Sequence, residues 1–182
     1  IIFGRDRFNE LNHLVPKDAK VLVLYGGGSV IRSGLLDEIK NSLDEEHISY
    51  EELGGVKPNP RLSFARKGVE KAIAFGAELI LAVGGGSAID TAKGIAIGAA
   101  NPGTDIWEFW KNKKELKKAL PVGTVLTISA AGSEMSNSAV LTDEETQDKS
   151  GIGSDLIRPK FAIMNPKLTY TLPKYQLTCG IV

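Results

Sequence analysis

Three apolar runs in this 182-residue chain each end in a cluster of glycine or other small residues. The runs are residues 19–25, 79–83 and 122–128, and the turns that follow them are residues 26–29, 84–87 and 129–133. Short runs of valine, leucine and isoleucine closed in this way predict strands that are buried on both faces of a parallel sheet. Glycine is also abundant, at about 11% of residues against a usual value near 7%, but its placement constrains the fold more than its amount.

Segments with helical periodicity separate these strands. Helices are predicted at residues 32–46, 63–76 and 88–99. Further elements are an edge strand at 48–53, a short lysine-rich helix within 101–118, a β-hairpin within 135–155, a strand at 160–164 and a helix after 170–173. Alternation of strands and helices predicts an α/β fold with a doubly wound, mainly parallel, Rossmann-like sheet and an added hairpin.

Composition narrows the classes of partner. Lys and Arg number 22, as do Asp and Glu, and no basic stripe is present, so we expect neither nucleic acid nor an anionic membrane surface as a partner. The longest uncharged stretch, residues 119–133, is too short to span a bilayer. The first residues show no secretory signal pattern, and we therefore expect a cytoplasmic protein.

Ligands for a transition metal are few. The single cysteine, Cys179, excludes an internal disulfide and a zinc site built on cysteines. His13 and His47 are too far apart in sequence for the spacing of a metal-binding helix. We expect no metal ligands within this chain.

A strand, a glycine turn and a helix together can bind a phosphate, because backbone N–H groups face the ligand and the helix start carries about half a positive charge. Two such turns, at 26–29 and 84–87, suit a dinucleotide. The turns match neither the usual Rossmann fingerprint nor a Walker A loop. The turn sequences alone therefore also allow that they are only tight strand-to-helix connections, which bind no ligand. Asp90, one helical turn after Ser87, could likewise interact with the helix dipole or with a ligand.

Five motifs occur in order along the chain: Tyr-Gly-Gly-Gly-Ser at 25–29, Lys-Pro-Asn-Pro at 57–60, Gly-Gly-Gly-Ser-Ala-Ile-Asp-Thr-Ala-Lys at 84–93, Gly-Ser-Glu-Met at 132–135 and Thr-Leu-Pro at 171–173. Together they resemble the iron-containing (group III) alcohol dehydrogenases, and within them the NADPH-dependent butanol dehydrogenase branch. The resemblance covers essentially the whole chain. It implies that residues 1–182 form an N-terminal dinucleotide-binding domain, and that an all-helical domain with the ligands for Fe²⁺ or Zn²⁺ follows Val182. The chain alone is then expected to be inactive.

The resemblance also implies a set of site residues. Gly85, Gly86 and Ser87 would bind the pyrophosphate, and Asp90 and Lys149 would be the catalytic residues at the nicotinamide end of the cofactor. The remaining positions implied in cofactor binding are Gly26, Gly27, Gly28, Ser29, Asn59, Thr127, Ala131, Ser133, Leu168 and Thr171. Among these, Ala131 stands where many members have threonine, and Leu168 and Thr171 correspond to the adenine side.

Cofactor choice is predicted from the end of the first apolar run. Relatives specific for NAD have an aspartate there, which holds the ribose hydroxyls, whereas this chain has Gly27. Ser29 and Arg32 follow as donors for a 2′-phosphate. We predict that NADP(H) is preferred.

The reaction implied is hydride transfer between NADP(H) and a primary alcohol or aldehyde, by a protein that is a homodimer when complete. A relative such as a glycerol dehydrogenase or dehydroquinate synthase is an alternative, although residues 105–107 and 132–135 favour the alcohol dehydrogenase branch. A stand-alone nucleotide-binding module without catalysis is a third hypothesis. Trp107 and Trp110 are interpreted as packing residues rather than substrate contacts.

Overall fold

The computed structural model describes residues 1–5, 7, 10–170, 172–175 and 178. Its strands in chain order are β1 (Ile2–Phe3), β2 (Val21–Tyr25), β3 (Tyr50–Gly54), β4 (Leu79–Gly84), β5 (Val122–Leu126), β6 (Ser138–Asp143), β7 (Asp148–Gly153) and β8 (Phe161–Met164). Six of them form one sheet in the order β1-β8-β5-β4-β2-β3, and every neighbouring pair is parallel. The predicted α/β fold is confirmed.

Helices connect the parallel strands. They are α1 (Leu11–Leu14), α2 (Gly28–Arg32), α3 (Leu35–Glu45), α4 (Leu62–Phe75), α5 (Gly86–Ala100) and α6 (Trp107–Trp110), with 3₁₀ turns at Asp155–Ile157 and Pro166–Thr169. No helix among the described residues has the length and apolarity needed to cross a membrane.

Both faces of the sheet are covered, as the apolar runs predict. Val21 and Val23 of β2 pack on one face with α1 and α3, whereas Leu22 and Leu24 pack on the other face with α5. The alternation follows from the two-residue period of a strand. The sheet is therefore doubly wound, and its central strands β2, β4 and β5 are largely apolar because neither of their faces meets water. The edge strand β3 is less buried and contains Glu51 and Glu52.

The β-hairpin is also confirmed. Strands β6 and β7 pair antiparallel, with Asp143 opposite Asp148 beside the turn. The hairpin packs against α4, α5 and α6 in an apolar cluster that includes Trp110, which is 3% exposed. Trp107 stacks on Trp110 with ring centroids 6.5 Å apart, in keeping with the packing role expected of both rings.

Three local predictions need correction. A lysine-rich helix is predicted within residues 101–118, but the helix found there is α6, which contains no lysine, and residues 111–118 are not helical. The helix cannot continue past Asn112, because this residue has a φ of 55°. The helix expected from residue 32 begins only at Leu35, because Gly34 at a φ of 77° separates α2 from α3. Strand β1 is absent from the elements predicted by periodicity, since two residues carry none, although the family resemblance implies that the chain starts within the first strand of that fold.

Candidate functional site

A cleft of about 760 Å³ lies at the carboxyl ends of the central strands. Strand β2 leads to β3 on one side of the sheet, whereas its neighbour β4 leads to β5 on the other side. The connections after β2 and β4 therefore diverge and leave a crevice, which is where open α/β sheets bind ligands. Turns 26–29 and 84–87 line this cleft from its two sides.

The turn after β4 brings the start of α5 to the cleft. Gly85 is the capping residue of α5 and provides no side-chain cap. The N–H groups of Ala88 and Ile89 donate to the carbonyl of Gly85 at 3.0 and 3.1 Å, whereas those of Gly86 and Ser87, at the first two helical positions, have no carbonyl partner within the helix. The first turn of α5 also contains no acidic residue. Exposed N–H groups and the positive end of a helix of 15 residues favour an anion such as a pyrophosphate.

Close packing explains the glycines of this turn. A Cβ on Gly85 would lie 2.4 Å from Cγ2 of Ile128, and a Cβ on Gly84 would lie 2.8 Å from the Cβ of Ala88. A Cβ on Gly86 would lie 3.4 Å from that of Ala131, on the connection that follows β5. A side chain at Gly85 would therefore push the turn apart, and one at Gly86 would fill the space beside Ala131.

The turn after β2 is more open. Gly27 has an ordinary φ of −78°, and a Cβ on it would meet nothing within 4 Å. Ser29 lines the cleft, and the guanidinium of Arg32 lies over Gly28, where it would be 2.3 Å from an added Cβ. Lys57 and Glu38 also line the cleft, so with Arg32 nearby the cations outnumber the carboxylate, which suits a further phosphate group.

The β5–β6 loop, residues 127–137, closes the other side of α5. Ser133 donates a short hydrogen bond from Oγ to Oδ1 of Asp90, and the N–H of Val140 on β6 donates to Oδ2 at 3.0 Å. The carboxylate of Asp90 thus links α5 to the loop and to the hairpin. Ser133 and Ala131 both lie beside Gly86, so the loop adjoins the start of α5.

Lys93 is fully buried beneath the same loop. Its Nζ donates to the carbonyl oxygens of Ser133 at 2.8 Å, Ser136 at 2.9 Å and Ser138 at 2.7 Å. Burial lowers the pKa of the ammonium to about 8, although the carboxylates of Asp90 and Glu134 oppose that shift.

Asn59 and Lys149 form a pair near the mouth of the site. Nζ of Lys149 on β7 donates to Oδ1 of Asn59 at 3.2 Å, and the N–H of Thr142 on β6 donates to the carbonyl of Pro60 at 2.8 Å. The loop 57–60 is therefore attached to the hairpin, and a lysine distant in sequence is brought to the cleft side of the sheet.

This arrangement matches a known family. The family model described as "Iron-containing alcohol dehydrogenase" matches residues 1–166. The chain belongs to the iron-containing alcohol dehydrogenase family. Its family membership confirms the resemblance carried by the glycine turns and the Gly-Ser-Glu-Met motif.

Curated members of this family are similar over the whole chain. The chain is 46% identical over 183 residues to the probable NADH-dependent butanol dehydrogenase 1 of Bacillus subtilis, covering 100% of this chain and 47% of that protein. It is 39% identical to the NADPH-dependent aldehyde reductase YqhD of Escherichia coli, again covering 100% of this chain and 47% of the relative. The chain thus spans about half the length of the curated relatives that it matches.

Crystal structures of iron-containing alcohol dehydrogenases share the fold. The NADH-dependent butanol dehydrogenase A of Thermotoga maritima superposes with a TM-score of 0.94 at 42% identity, over 98% of this chain and 45% of that one. Escherichia coli YqhD superposes with a TM-score of 0.93 at 38% identity, over 99% of this chain and 46% of that one.

The family residues expected from the sequence differ in where the structure places them. Those that line the cleft are Gly26, Gly27, Ser29, Gly85, Gly86, Ser87, Thr127 and Leu168. Asp90, Ala131 and Ser133 lie together beside the start of α5, and Asn59 pairs with Lys149. Gly28 begins α2 behind the lining, and Thr171 lies outside the described residues.

Several residues of the site are not indicated by the sequence alone. Glu38 and Asn165 line the cleft, yet both occur in stretches whose pattern indicates only helix surface and loop. Lys57 belongs to one of the five motifs, but the motif implies no role for it. Lys93 stands between Ala92 and Gly94 in a helix of small residues, and that lone charge among apolar neighbours is the available signal for a buried cation.

The family's metal finds no ligand set here. Among the residues that the structure describes, no three His, Cys, Asp or Glu side chains are grouped so as to hold a metal ion. The described residues therefore do not by themselves fit the family's metal.

Proposed function

We propose that residues 1–182 form the dinucleotide-binding domain of an alcohol dehydrogenase or aldehyde reductase, and that NADP(H) binds in the cleft between turns 26–29 and 84–87. The observation that carries this proposal is the start of α5, where no side chain caps the helix and Gly85, Gly86 and Ser87 line a cleft at the switch point of the sheet. A bulky ligand with two phosphate groups fits a cleft of about 760 Å³.

Each side of the cleft has a role in this proposal. Gly85, Gly86 and Ser87 bind the pyrophosphate through backbone N–H groups. Asp90 and Lys149 act at the nicotinamide end, where the pairing of Asp90 with Ser133 orients the carboxylate. The wall of the cleft beside α5 is completed by Thr127, Ala131 and Ser133. The adenine is contacted by Leu168 and Thr171.

When bound, the cofactor supplies a hydride to an aldehyde or accepts one from a primary alcohol. The side chains of this domain bind and orient the dinucleotide. Polarisation of the substrate oxygen by Fe²⁺ or Zn²⁺ would need ligands from outside the described residues, so we expect this chain alone to bind cofactor without turnover. A cytoplasmic location and a homodimeric complete protein are further expectations from the family.

Preference for NADP(H) over NAD(H) is part of the proposal. No carboxylate stands at Gly27. Ser29 and Lys57 line the cleft, and Arg32 lies over Gly28. Two cations and a hydroxyl therefore accompany Glu38, which among the described residues is the one carboxylate that lines the cleft. The cations and the hydroxyl favour a 2′-phosphate. The names of the relatives include both cofactors, with NADPH for YqhD and NADH for the butanol dehydrogenases.

A binding titration tests the proposal. We expect NADPH to quench or shift the protein fluorescence of the wild-type chain, and Gly86→Val to abolish that response, because the valine side chain would fill the space beside Ala131. Gly153→Val is the matched control, since a Cβ there meets nothing within 4 Å and Gly153 is not part of the cleft lining. Circular dichroism would verify that both variants fold.

Loss of binding in Gly86→Val but not in Gly153→Val supports the proposed site. Equal binding by wild type and Gly86→Val would place the dinucleotide elsewhere and overturn it.

A further inference from the structure

The buried ammonium of Lys93 is the most unusual group in the core. Lys93 lies two helical turns into α5, is 0% exposed, and is the largest of the fully buried side chains. An unpaired ammonium in such a place would be very costly, so buried lysines are retained only where hydrogen bonds satisfy them. The function proposed above leaves this lysine without a role.

Every proton of the ammonium has a partner. An ammonium donates three hydrogen bonds, and the carbonyl oxygens of Ser133, Ser136 and Ser138 lie within 2.9 Å of Nζ. These three carbonyls belong to the β5–β6 loop and to the first residue of β6. Lys93 therefore holds the end of the β5–β6 loop, at Ser133 and Ser136, and joins it to Ser138, where β6 begins to pair with β7.

The same segment is held from its outer side by Arg158. Its Nη1 donates to the carbonyl of Met135 at 2.6 Å, and its Nη2 donates to Oδ1 of Asp155 at 2.8 Å. Arg158 is exposed, whereas Lys93 is buried. The two cations bind different carbonyls of one loop, and the positive charge of Arg158 also lowers the pKa of Lys93.

The loop connects Lys93 to the proposed cofactor site. Ser133, whose carbonyl binds Lys93, donates from its hydroxyl to Asp90 and lies next to Gly86 at the start of α5. Removing the ammonium would release Ser133 and, through it, the carboxylate of Asp90.

We propose that Lys93 is a positioning residue for cofactor binding, which fixes Ser133 and Asp90 against the start of α5. This inference rests on the proposed function, namely that the cleft binds a dinucleotide. Lys93 acts through the loop and does not itself touch the ligand.

This positioning role predicts that cofactor affinity depends on the protonation state of Lys93. A neutral amine donates only two hydrogen bonds, so deprotonation would leave one of the three carbonyls without its partner. The pKa of Lys93 is lowered to about 8 by burial, and the charged groups that face it are Asp90 and Glu134, which raise the pKa, and Arg158, which lowers it. By linkage, a cofactor that prefers the protonated form must bind more weakly as the pH rises above this pKa.

The experiment measures the dissociation constant of NADPH for the purified protein between pH 6.5 and 9.5. We expect wild-type affinity to be constant below about pH 7.5 and to fall about tenfold by pH 9.5, as one hydrogen bond is lost. Lys93→Met should bind weakly at every pH, without that decline, and Lys93→Arg, which stays charged, should restore affinity without restoring the decline.

Two further variants keep the test decisive if changes at Lys93 prevent folding. Asp90→Asn removes a carboxylate that raises the lysine pKa, so the decline should begin at a lower pH. Arg158→Gln removes a cation that lowers it, so the decline should begin at a higher pH. A lysine with only a structural role would change the melting temperature but would not produce these opposite shifts.

The outcomes separate the two claims. Absence of NADPH and NADH binding by the folded wild-type protein at pH 7 overturns the proposed function, and with it this inference. Wild-type binding at pH 7 with no decline up to pH 9.5, or with a decline that Lys93→Met retains, overturns the inference alone.

Discussion

Gly27 offers a direct test of cofactor choice, because its position can accept a carboxylate without strain. Its φ of −78° is allowed for any residue, and an added Cβ would meet nothing within 4 Å. Gly27→Asp should therefore leave the fold unchanged and place a negative charge at the end of β2. NAD-specific dinucleotide folds use a carboxylate at this point to bind the ribose hydroxyls.

The expected magnitude follows from the exposure of the cleft. Two unit charges about 4 Å apart interact by about 1 kcal/mol in bulk water and by about 4 kcal/mol near a protein surface. The cleft is open, Lys57 lines it and Arg32 lies over Gly28, so a repulsion of ~2 kcal/mol between the introduced carboxylate and a 2′-phosphate is reasonable. We expect NADPH to bind about 30-fold more weakly and NADH to bind equally well or slightly better.

The assay is isothermal titration of wild type, Gly27→Asp and Gly27→Asn with both cofactors at low ionic strength. Asparagine has the size of aspartate without its charge, so Gly27→Asn should lose less than about threefold in NADPH affinity. The reasoning would be refuted by an unchanged NADPH affinity in Gly27→Asp, or by equal losses in the aspartate and asparagine variants. Equal losses would mean that the volume of the new side chain, and not its charge, lowers the NADPH affinity.

Two further predictions concern stability. Gly68→Ala should lower the free energy of unfolding by about 1–3 kcal/mol, because the new Cβ would lie 2.3 Å from Cδ1 of Ile95 between α4 and α5. Urea titration measures this change, and Gly153→Ala, with open space around the new Cβ, is the control that should change stability little. Equal stability of the two variants would contradict the close contact at Gly68. The stability of the protein at acid pH should depend on Asp105. Two hydrogen bonds from Arg66, at 2.7 and 2.9 Å, hold the pKa of the Asp105 carboxyl below the usual range. The contribution of this ion pair to the free energy of unfolding is therefore present above about pH 4 and is lost as the pH falls through the lowered pKa. Asp105→Asn should therefore be less stable than wild type at pH 7, and the difference should shrink as the pH falls below the ordinary aspartate pKa and through the lowered one. A difference that does not shrink at all on acidification would exclude the ion pair as its cause. Glu115→Gln, at an exposed pair with Lys117, is the control.

The parallel sheet could be predicted because its strands are buried on both faces. Continuous apolar runs such as Val21–Tyr25 and Leu79–Gly84 differ from every surface segment of the chain. Local features with a weaker pattern could not be predicted. Strand β1 has only two residues, and the lysines after Trp110 have a helical composition although Asn112 takes a positive φ.

The site could be predicted where it depends on local chemistry and not where it depends on long-range packing. The glycines of turn 84–87 are visible in the sequence, and part of their reason is local, since a Cβ at Gly84 would lie 2.8 Å from that of Ala88. The collision of a side chain at Gly85 with Ile128, on a distant part of the chain, is visible only in the structure. The pairing of Lys149 with Asn59, and the burial of Lys93, exist only because the hairpin folds over α5. No periodicity near Lys93 indicates which residues will cover it.

The central claim is that a dinucleotide binds between the two glycine turns, and amide chemical shifts of the ¹⁵N-labelled protein would test it most directly. On titration with NADPH, we predict the largest shift changes at Gly27, Gly86 and Ser87, which line the cleft, with smaller changes at Ser133. The groove between Leu14 and Phe161 at the opposite ends of the strands should show none. Shift changes confined to that groove, or a folded protein whose spectrum NADPH and NADH leave unaltered, would contradict the account.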